Sequence, residues 1–288
     1  MITSEQVVAR VKKLPTLSAT MARLWALAKD DRASAADFEK VIRPDPALTA
    51  NLLRVANSAY FGLRCRAESV RQAVTLLGLK RVCEVATSVA FAPVIPAKLP
   101  GYEVDASTFW THSVAVAVFS EKLAKELAVG TPDMLFTAGL LHDIGKLVVG
   151  AFVADEQGEI LRRVRQGTPF VQAEREVLGT DHCTLGAMVA QAWSLPPAVA
   201  WVARWHHQPA DVPPDVDGKL VGLVHAADAL AHAMGFGTDS GELAREIDGA
   251  VEQKLGVKVR RLEAVAGSTL DAIREMGSLF ASASGGKR

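Results

Sequence analysis

Seven histidines lie between residues 112 and 232, and one of them is followed directly by an aspartate. The sequence LLHDIGK at 140–146 places His142 directly before Asp143, after a short apolar run that would exclude water. An imidazole nitrogen and a carboxylate oxygen are both good ligands for a divalent transition metal. Helical spacing predicts that the pair lies near the middle of a helix. It also places Lys146 one turn from His142, where its ammonium could hold an anionic phosphate beside the metal.

A single His-Asp pair is weak evidence for a metal site, because the two side chains can also form a buried hydrogen-bonded pair that binds no ion. Asp228 strengthens the case, since it lies in the apolar segment VHAADAL, where an unpaired carboxylate would be costly. The remaining candidate ligands are His112 in WTHSVAVAV, His182 in GTDHCTLG, and the adjacent pair His206 and His207 in WHHQP. A shared metal centre would explain why an apolar chain carries these groups.

The histidines also have interpretations that need no metal. His182 could cap its helix beside Asp181, and His206 and His207 could be ordinary helix-end residues, where a positive charge suits the helix dipole. Two further histidines lie on the same predicted helix as Asp228 and are expected to pack beside ligands rather than bind the ion: His225 and His232.

The apolar residues around these candidates recur with helical spacing, and no segment alternates convincingly as a strand. The sequence therefore predicts an all-α, multi-helix fold. The helices predicted after residue 101 are at about 106–128, 132–149, 155–166, 169–178, 182–193, 197–206, 218–234, 240–254 and 258–283.

Local signals predict where the earlier helices begin and end. Ser34 with Asp37 three residues later is typical of a helix N-terminal cap, and Pro46 suits the first turn of the next helix. Ser69 is expected to cap a helix that stops at Gly78. Asn57, in the turn after the helix that begins at Pro46, could bind a partner or could hydrogen-bond the backbone of that turn. The second alternative is favoured.

One Pro- and Gly-rich stretch, APVIPAKLPG at 92–101, separates two predicted subdomains. The first is an N-terminal helical subdomain at 1–100, and the second comprises 101–280. Residues 281–288 are predicted to form a disordered tail.

The overall charge excludes some functions. Lysine plus arginine and aspartate plus glutamate number 32 each, so the formal net charge is zero, which argues against coating nucleic acid or an anionic membrane. A small basic cluster of Arg71, Lys80 and Arg81 has no recognition-helix signature. Nucleic acid and membrane are therefore not expected as partners.

The cysteines and the N-terminal segment indicate the compartment. The three cysteines are widely spaced and form no CxxC pair, which fits the reducing cytoplasm better than a disulfide framework. The first residues, MITSEQVVARVKK, carry too much charge for a signal peptide. No segment is expected to reach the apolar length that a membrane span needs.

Several motifs together are specific to one family. They are LPTLS at 14–18, IRPDPALTANLLRVANSAYFG at 42–62, ESVRQAVTLLGLKRV at 68–82, AGLLHDIGKLV at 138–148, ERE at 174–176, GTDHCTLGAMVAQAWSLP at 179–196 and HH at 206–207. With these blocks the chain resembles the HDOD family of bacterial signalling proteins, within the HD superfamily of metal-dependent phosphohydrolases. The resemblance implies that an N-terminal helical subdomain packs on an HD-like helical subdomain.

The resemblance also implies a ligand set. HD-GYP proteins, a related branch that hydrolyses cyclic di-GMP at a multi-metal centre, have a ligand pattern that maps onto His112, His142, Asp143, His182, His206, His207 and Asp228. Lys146 corresponds to the lysine that follows their His-Asp pair. The Gly-Tyr-Pro motif of that branch is absent here, where QPADVPPD follows the histidine pair, and Thr108 stands where an acidic residue is often found.

Two functions follow from this resemblance. The first is a regulatory signal-transduction module with a bound divalent metal, iron or manganese being candidates. Its partner would be an unidentified signalling protein or a second copy in a homodimer. The second is a metal-dependent phosphohydrolase acting on a nucleotide or cyclic dinucleotide. There the metal ligands would hold ions that activate water, and Lys146 would be the catalytic residue that stabilises developing charge.

Overall fold

Helices account for nearly all of the regular structure. The computed structural model describes residues 6, 9, 19–237 and 246–284, with side chains as far as 279. Within these residues the one sheet is a short antiparallel pair, in which Lys98 opposes Asp105 and Leu99 opposes Val104. The predicted all-α class is confirmed.

The described chain divides into two compact units. One unit comprises Ile95–Leu270. The other comprises Thr16–Val94 and the chain from Asp271 onward, as far as each is described. The chain passes from one unit to the other within the Pro- and Gly-rich stretch. The sequence predicts that the chain from Asp271 to residue 280 belongs to the second subdomain, whereas this part of the chain groups with the N-terminal unit.

The N-terminal unit is built from short helices with clear end signals. They are α1 (Ala19–Ala28), α2 (Ala35–Ile42), α3 (Pro46–Ala56), α4 (Val70–Leu77) and α5 (Leu79–Phe91), with 3-10 turns at Ala59–Phe61 and Ala92–Val94. The predicted capping box of α2 is confirmed, since the Ser34 and Asp37 side chains each bind the other's backbone N–H. Ser69 caps α4, which ends at Gly78, as predicted.

Buried side chains from these helices form the core of the N-terminal unit. Leu24, Phe38, Leu52 and Phe91 are fully buried. Asn57 closes the turn after α3: its amide group donates to the carbonyls of Leu53 and Ala67, and its oxygen accepts from the Ala67 N–H at 2.7 Å. The turn interpretation of Asn57 is therefore confirmed. The LPTLS motif lies outside the described residues.

The second unit contains the candidate ligands. Its elements are β1 (Lys98–Leu99), β2 (Val104–Asp105), α6 (Ala106–Glu126), α7 (Leu135–Leu141), α8 (Lys146–Asp155), α9 (Gln157–Arg165), α10 (Phe170–Leu178), α11 (His182–Ala192), α12 (Pro197–Trp205), a 3-10 turn (Pro209–Asp211), α13 (Gly218–Ala231), a π-helical turn (His232–Phe236), α14 (Gly249–Leu255) and α15 (Val259–Ser284), which extends past Asp271 into the other unit. The long helix α6 packs against α7 and α13, and α11 packs against α12.

The helix predicted at 132–149 is wrong in one respect that matters for the site. Residues 142–145 form a turn between α7 and α8, so His142 and Asp143 are not in the middle of a helix. The backbone hydrogen bonds there join residues three positions apart, as in a 3-10 turn. One example is the bond from the Lys146 N–H to the Asp143 carbonyl at 2.9 Å. Gly145 lies against the backbone of α11, where a Cβ atom would be 1.8 Å from the His182 carbonyl oxygen. Tertiary packing therefore overrides the local helical pattern.

The segment Leu135–Asp155 corrects the expectation that no segment is apolar enough to span a membrane. By length and composition it qualifies, but 83% of its most apolar 18-residue window is buried inside the fold. The same composition arises in a core helix, and here the segment is interrupted by the His-Asp turn.

Two predicted segments differ at the C-terminal end. The helix predicted at 240–254 begins at Gly249, where the Asp248 carboxylate accepts from the Ala250 N–H, and residues 238–245 lie outside the described part. The predicted disordered tail begins too early, because residues 281–284 continue α15; residues 285–288 are outside the described part.

Candidate metal centre

Five segments of the Ile95–Leu270 unit bring the candidate ligands to one place. The ligand-bearing positions are His112 on α6, His142 and Asp143 in the turn before α8, His182 at the first position of α11, His206 and His207 just after α12, and Asp228 on α13. All of these side chains are buried except that of His207, which is half-buried. The donor atoms form overlapping groups that could hold a metal ion.

The first group surrounds the Nε2 atom of His112. This atom lies 3.3 Å from His142 Nε2 and 3.3 Å from Asp228 Oδ1. The second oxygen of Asp143, Oδ2, is 3.4 Å from His142 Nε2 and 3.7 Å from His112 Nε2. Ligand atoms about 2.1 Å from one ion in a tetrahedral or octahedral shell are about 3.0–3.4 Å apart, so these spacings fit one ion closely.

The second group lies on the other side of the same aspartate. Asp143 Oδ1 is 3.5 Å from His206 Nε2 and 3.6 Å from His182 Nε2. His207 Nε2 is 2.9 Å from His182 Nε2. The two oxygens of Asp143 therefore face different groups, an arrangement in which one carboxylate can bridge two ions.

Hydrogen bonds fix which nitrogen of each imidazole points into the cluster. A carbonyl oxygen can only accept, so Nδ1 of His142 must donate to Gly139 O at 2.7 Å, and Nδ1 of His112 must donate to Phe236 O at 3.0 Å. His206 Nδ1 likewise donates to the carbonyls at the end of α12. In the neutral rings Nε2 then carries a lone pair directed at the cluster, which is the usual state of a metal-bound histidine.

This arrangement leaves electron pairs facing one another. The lone pairs on the Nε2 atoms of His112 and His142 meet at 3.3 Å, and carboxylate oxygens lie close to both. Asp143 Oδ1 and His206 Nε2 are buried and have no hydrogen-bond partner among the described residues. Buried acceptors without donors are costly, and a cation between them would remove that cost. The residues therefore fit a divalent metal.

The ionisation states of His112, His206 and Asp143 support the same interpretation. Burial holds the pKa of His112 well below its ordinary value, and the neighbouring His142 adds to the effect. Burial also lowers the pKa of His206 to about 3. Burial opposes ionisation of Asp143, yet the Lys146 ammonium and His142 hold the pKa of this carboxyl well below its usual range. Neutral imidazoles and an ionised carboxylate are the forms that bind metals.

Lys146 lies beside the cluster, and whether it binds a phosphate stays a prediction. Its ammonium is 2.8 Å from Asp143 Oδ2 and 5.3 Å from the centre of the Tyr102 ring, and the residue is 1% exposed. In this structure its charge compensates the carboxylate of Asp143.

Three residues take part in the cluster although the sequence did not single them out as functional. Glu174, from the ERE motif, is fully buried and accepts from both the backbone N–H and the Nδ1 of His182, at 3.0 and 2.6 Å. Tyr102 donates its hydroxyl to the same carboxylate. His232, expected only to pack nearby, has its Nε2 3.6 Å from Asp228 Oδ1. His232 follows Asp228 by four residues, so regular helical spacing places the two side chains on the same face of α13.

His225 has a supporting position. Its Nδ1 donates to the backbone carbonyl of His206 at 2.7 Å, and its Nε2 accepts from the Asp248 N–H at 2.9 Å. Both ring nitrogens are thus bound to backbone, and the ring fixes the end of α12 where the histidine pair begins.

The chain has an all-helical fold with a convergent His and Asp set that could hold a metal, and the HDOD domain pattern matches residues 14–209. The chain therefore belongs to the HDOD domain family, and the family prediction is confirmed. Similar solved structures agree with the fold. An HDOD domain protein of unknown function from Geobacter sulfurreducens superposes with a TM-score of 0.73 at 23% identity, covering 98% of this chain and 99% of that chain.

A second solved structure, from Shewanella amazonensis SB2B, is provisionally assigned as a phosphohydrolase. It has a TM-score of 0.73 and 26% identity, covering 96% of this chain and 98% of that one. Among curated sequences, an uncharacterized protein of Treponema pallidum (strain Nichols) is 28% identical over 210 residues, 69% of this chain. A 3'3'-cGAMP-specific phosphodiesterase 3 of Vibrio cholerae is 41% identical over 64 residues, 21% of this chain. The chain spans 38% and 14% of the lengths of these two relatives.

Proposed function

We propose that the chain is a metal-containing regulatory module of signal transduction that acts through protein–protein contacts in the cytoplasm. The observation that carries the metal is the convergence of imidazole lone pairs and carboxylate oxygens around Asp143. Iron and manganese are the ions we expect at the carboxylate-containing first group. The partner is a signalling protein or a second copy of the chain.

Burial of the cluster favours regulation over turnover. His112, His142 and Asp228 are fully buried, and the Lys146 ammonium is paired with Asp143 Oδ2 at 2.8 Å. Hydrolysis requires a phosphate positioned in line beside an activated water, because positioning supplies much of the rate. The segment after the histidine pair lacks the Gly-Tyr-Pro motif. In it, the side-chain oxygen of Gln208 accepts a hydrogen bond from the Arg175 guanidinium at 3.2 Å.

The alternative is a metal-dependent phosphohydrolase acting on a nucleotide or cyclic dinucleotide. The relative in Vibrio cholerae that bears a phosphodiesterase name favours it, as does the ligand set. A metal at this site would supply water activation. The chain would have to free Lys146 from Asp143 for charge stabilisation and admit substrate beside His207, the half-buried member of the cluster.

Turnover measurements separate the two functions. The full chain, loaded with manganese or iron(II), is incubated with cyclic dinucleotides including 3'3'-cGAMP, nucleoside phosphates and a generic phosphodiester. We expect undetectable or very slow hydrolysis, indistinguishable from that of Asp143→Ala. Robust turnover that Asp143→Ala abolishes, and that Asp155→Asn on exposed α8 surface retains, would replace the regulatory function with the phosphohydrolase. Sedimentation of the chain with and without metal tests the homodimer.

A further inference from the structure

A thiol lies among the donor atoms of the second group. Cys183, the residue after His182 on α11, is buried, and its sulfur lies within 4.8 Å of a ring nitrogen of each of His182, His206 and His207. A buried cysteine in an apolar helix ordinarily acts as a small hydrophobic side chain that packs in the core. Here it is surrounded by three imidazoles on the side of α11 that packs against α12.

An independent observation in the same place indicates a ligand. His206 is fully buried, and its Nε2 has no hydrogen-bond partner among the described residues. Its Nδ1 proton is used by the carbonyls of α12, so the Nε2 lone pair is directed into the space that Cys183 and His182 also face. His182 is oriented in turn by Glu174, which accepts its Nδ1 proton at 2.6 Å.

We propose that Cys183, His182, His206 and His207 form a second metal position that takes a thiophilic divalent ion such as zinc. This proposal rests on the metal centre of the proposed function and goes beyond it by assigning a sulfur ligand. On binding, the thiol loses its proton to solvent and the thiolate sulfur donates an electron pair to the ion. One thiolate and three imidazoles are a donor set that selects zinc-like ions over manganese.

The donor set has a consequence for chemistry. With Asp143 Oδ1, which lies 3.5 Å from His206 Nε2 and 3.6 Å from His182 Nε2, the second position has five protein donors, whereas a hydrolytic zinc site keeps one position for water. The first group, built from His112, His142 and the two aspartates, has no sulfur donor, so the two positions differ in the ions they prefer. A closed, sulfur-containing second position agrees with a regulatory role for the centre.

Cobalt(II) is the probe that tests the sulfur ligand directly, because a cobalt–thiolate bond gives a charge-transfer absorption in the near ultraviolet that imidazole and carboxylate ligands do not give. The full chain is stripped of metal and titrated with cobalt(II) without oxygen. We expect this band in the wild type and its complete loss in both Cys183→Ser and Cys183→Ala. Binding of the second ion should weaken by more than about tenfold, since loss of even an outer partner costs that much.

The exposed Cys65 provides the matched control, because it is a free cysteine in the other unit. Cys65→Ser should retain the band at full intensity, and circular dichroism shows whether each variant is folded. Cobalt binding without the band, or a band that survives in the Cys183 variants, would overturn the sulfur ligand and leave the metal centre intact. If cobalt does not bind at all, the metal centre and the sulfur ligand are both wrong.

Discussion

Asp105 caps the helix that carries His112. Its carboxylate accepts from the Thr108 N–H at 2.7 Å and from the Ser107 hydroxyl at 2.8 Å, at the positive end of the α6 dipole. Replacement by alanine leaves that N–H without its protein partner, and we expect Asp105→Ala to lower the free energy of unfolding by about 1 kcal/mol. Urea unfolding at neutral pH measures the change. An unfolding curve identical to that of the wild type would show that the cap contributes nothing.

The charge of Asp105 should make part of this stability depend on pH. The hydrogen bonds from Thr108 and Ser107 lower the pKa of the Asp105 carboxyl. A carboxyl with a lowered pKa in the folded state contributes stability that is present above its unfolded pKa of about 3.9 and is lost as the pH falls through the lowered value. Asp105→Asn keeps a capping oxygen but does not titrate, so its difference from the wild type should disappear in acid.

Glu174 orients the candidate ligand His182, and a matched variant on the same helix separates this role from an effect on folding. It is fully buried and orients His182 through two hydrogen bonds, whereas Glu176 on the same helix is partly exposed and pairs with Arg163. We expect Glu174→Gln to weaken metal binding about 10–100-fold, because partners behind a ligand usually have that effect. Competition with a chromophoric chelator measures the affinity. Equal affinities for Glu174→Gln and Glu176→Gln would contradict the role.

At the scale of elements, the turn between α7 and α8 depends on the absence of a side chain at Gly145. A Cβ atom there would lie 1.8 Å from His182 O and 2.6 Å from Gly186 N, both of them backbone atoms that cannot move alone. We expect Gly145→Ala to destabilise the fold by about 3 kcal/mol and to abolish metal binding, because α8 and α11 must separate. Calorimetry and metal analysis report the two effects.

Gly158 on α9 is the matched control for this substitution. A Cβ atom there would meet nothing within 4 Å, so Gly158→Ala should leave metal content unchanged and stabilise the fold by up to about 1 kcal/mol, the difference in helix propensity. If Gly145→Ala bound metal and melted like Gly158→Ala, the close approach of α8 to α11 would not be required.

The elements also show what could be predicted from the sequence. Ser34, Ser69 and Gly78 act through contacts within a few residues, so local patterns located α2 and α4 well. The turn at Asp143 could not be predicted in this way, because it is set by the backbone of α11, which is distant in sequence. His232, by contrast, follows Asp228 by one helical turn, so local spacing was enough to place it beside that carboxylate.

At the scale of the whole molecule, the metal should stabilise one unit in particular. Every residue of the cluster lies within Ile95–Leu270. A ligand that binds only the folded state stabilises it by mass action, by about 2.7 kcal/mol when its free concentration is a hundred times its dissociation constant. For a unit of this size that corresponds to a rise in melting temperature of roughly 5–11 °C.

Chelation therefore should lower the melting temperature of the wild-type chain by that amount, and added manganese or iron(II) should restore it. Asp143→Ala should show neither change, because removing the bridging carboxylate takes a donor from both groups and leaves the Lys146 ammonium buried without its carboxylate. Asp155→Asn, on an exposed residue of α8, should respond as the wild type does. Where the curve resolves two transitions, only the transition of the Ile95–Leu270 unit should move. A wild-type chain that melts identically with and without metal would contradict the metal centre itself.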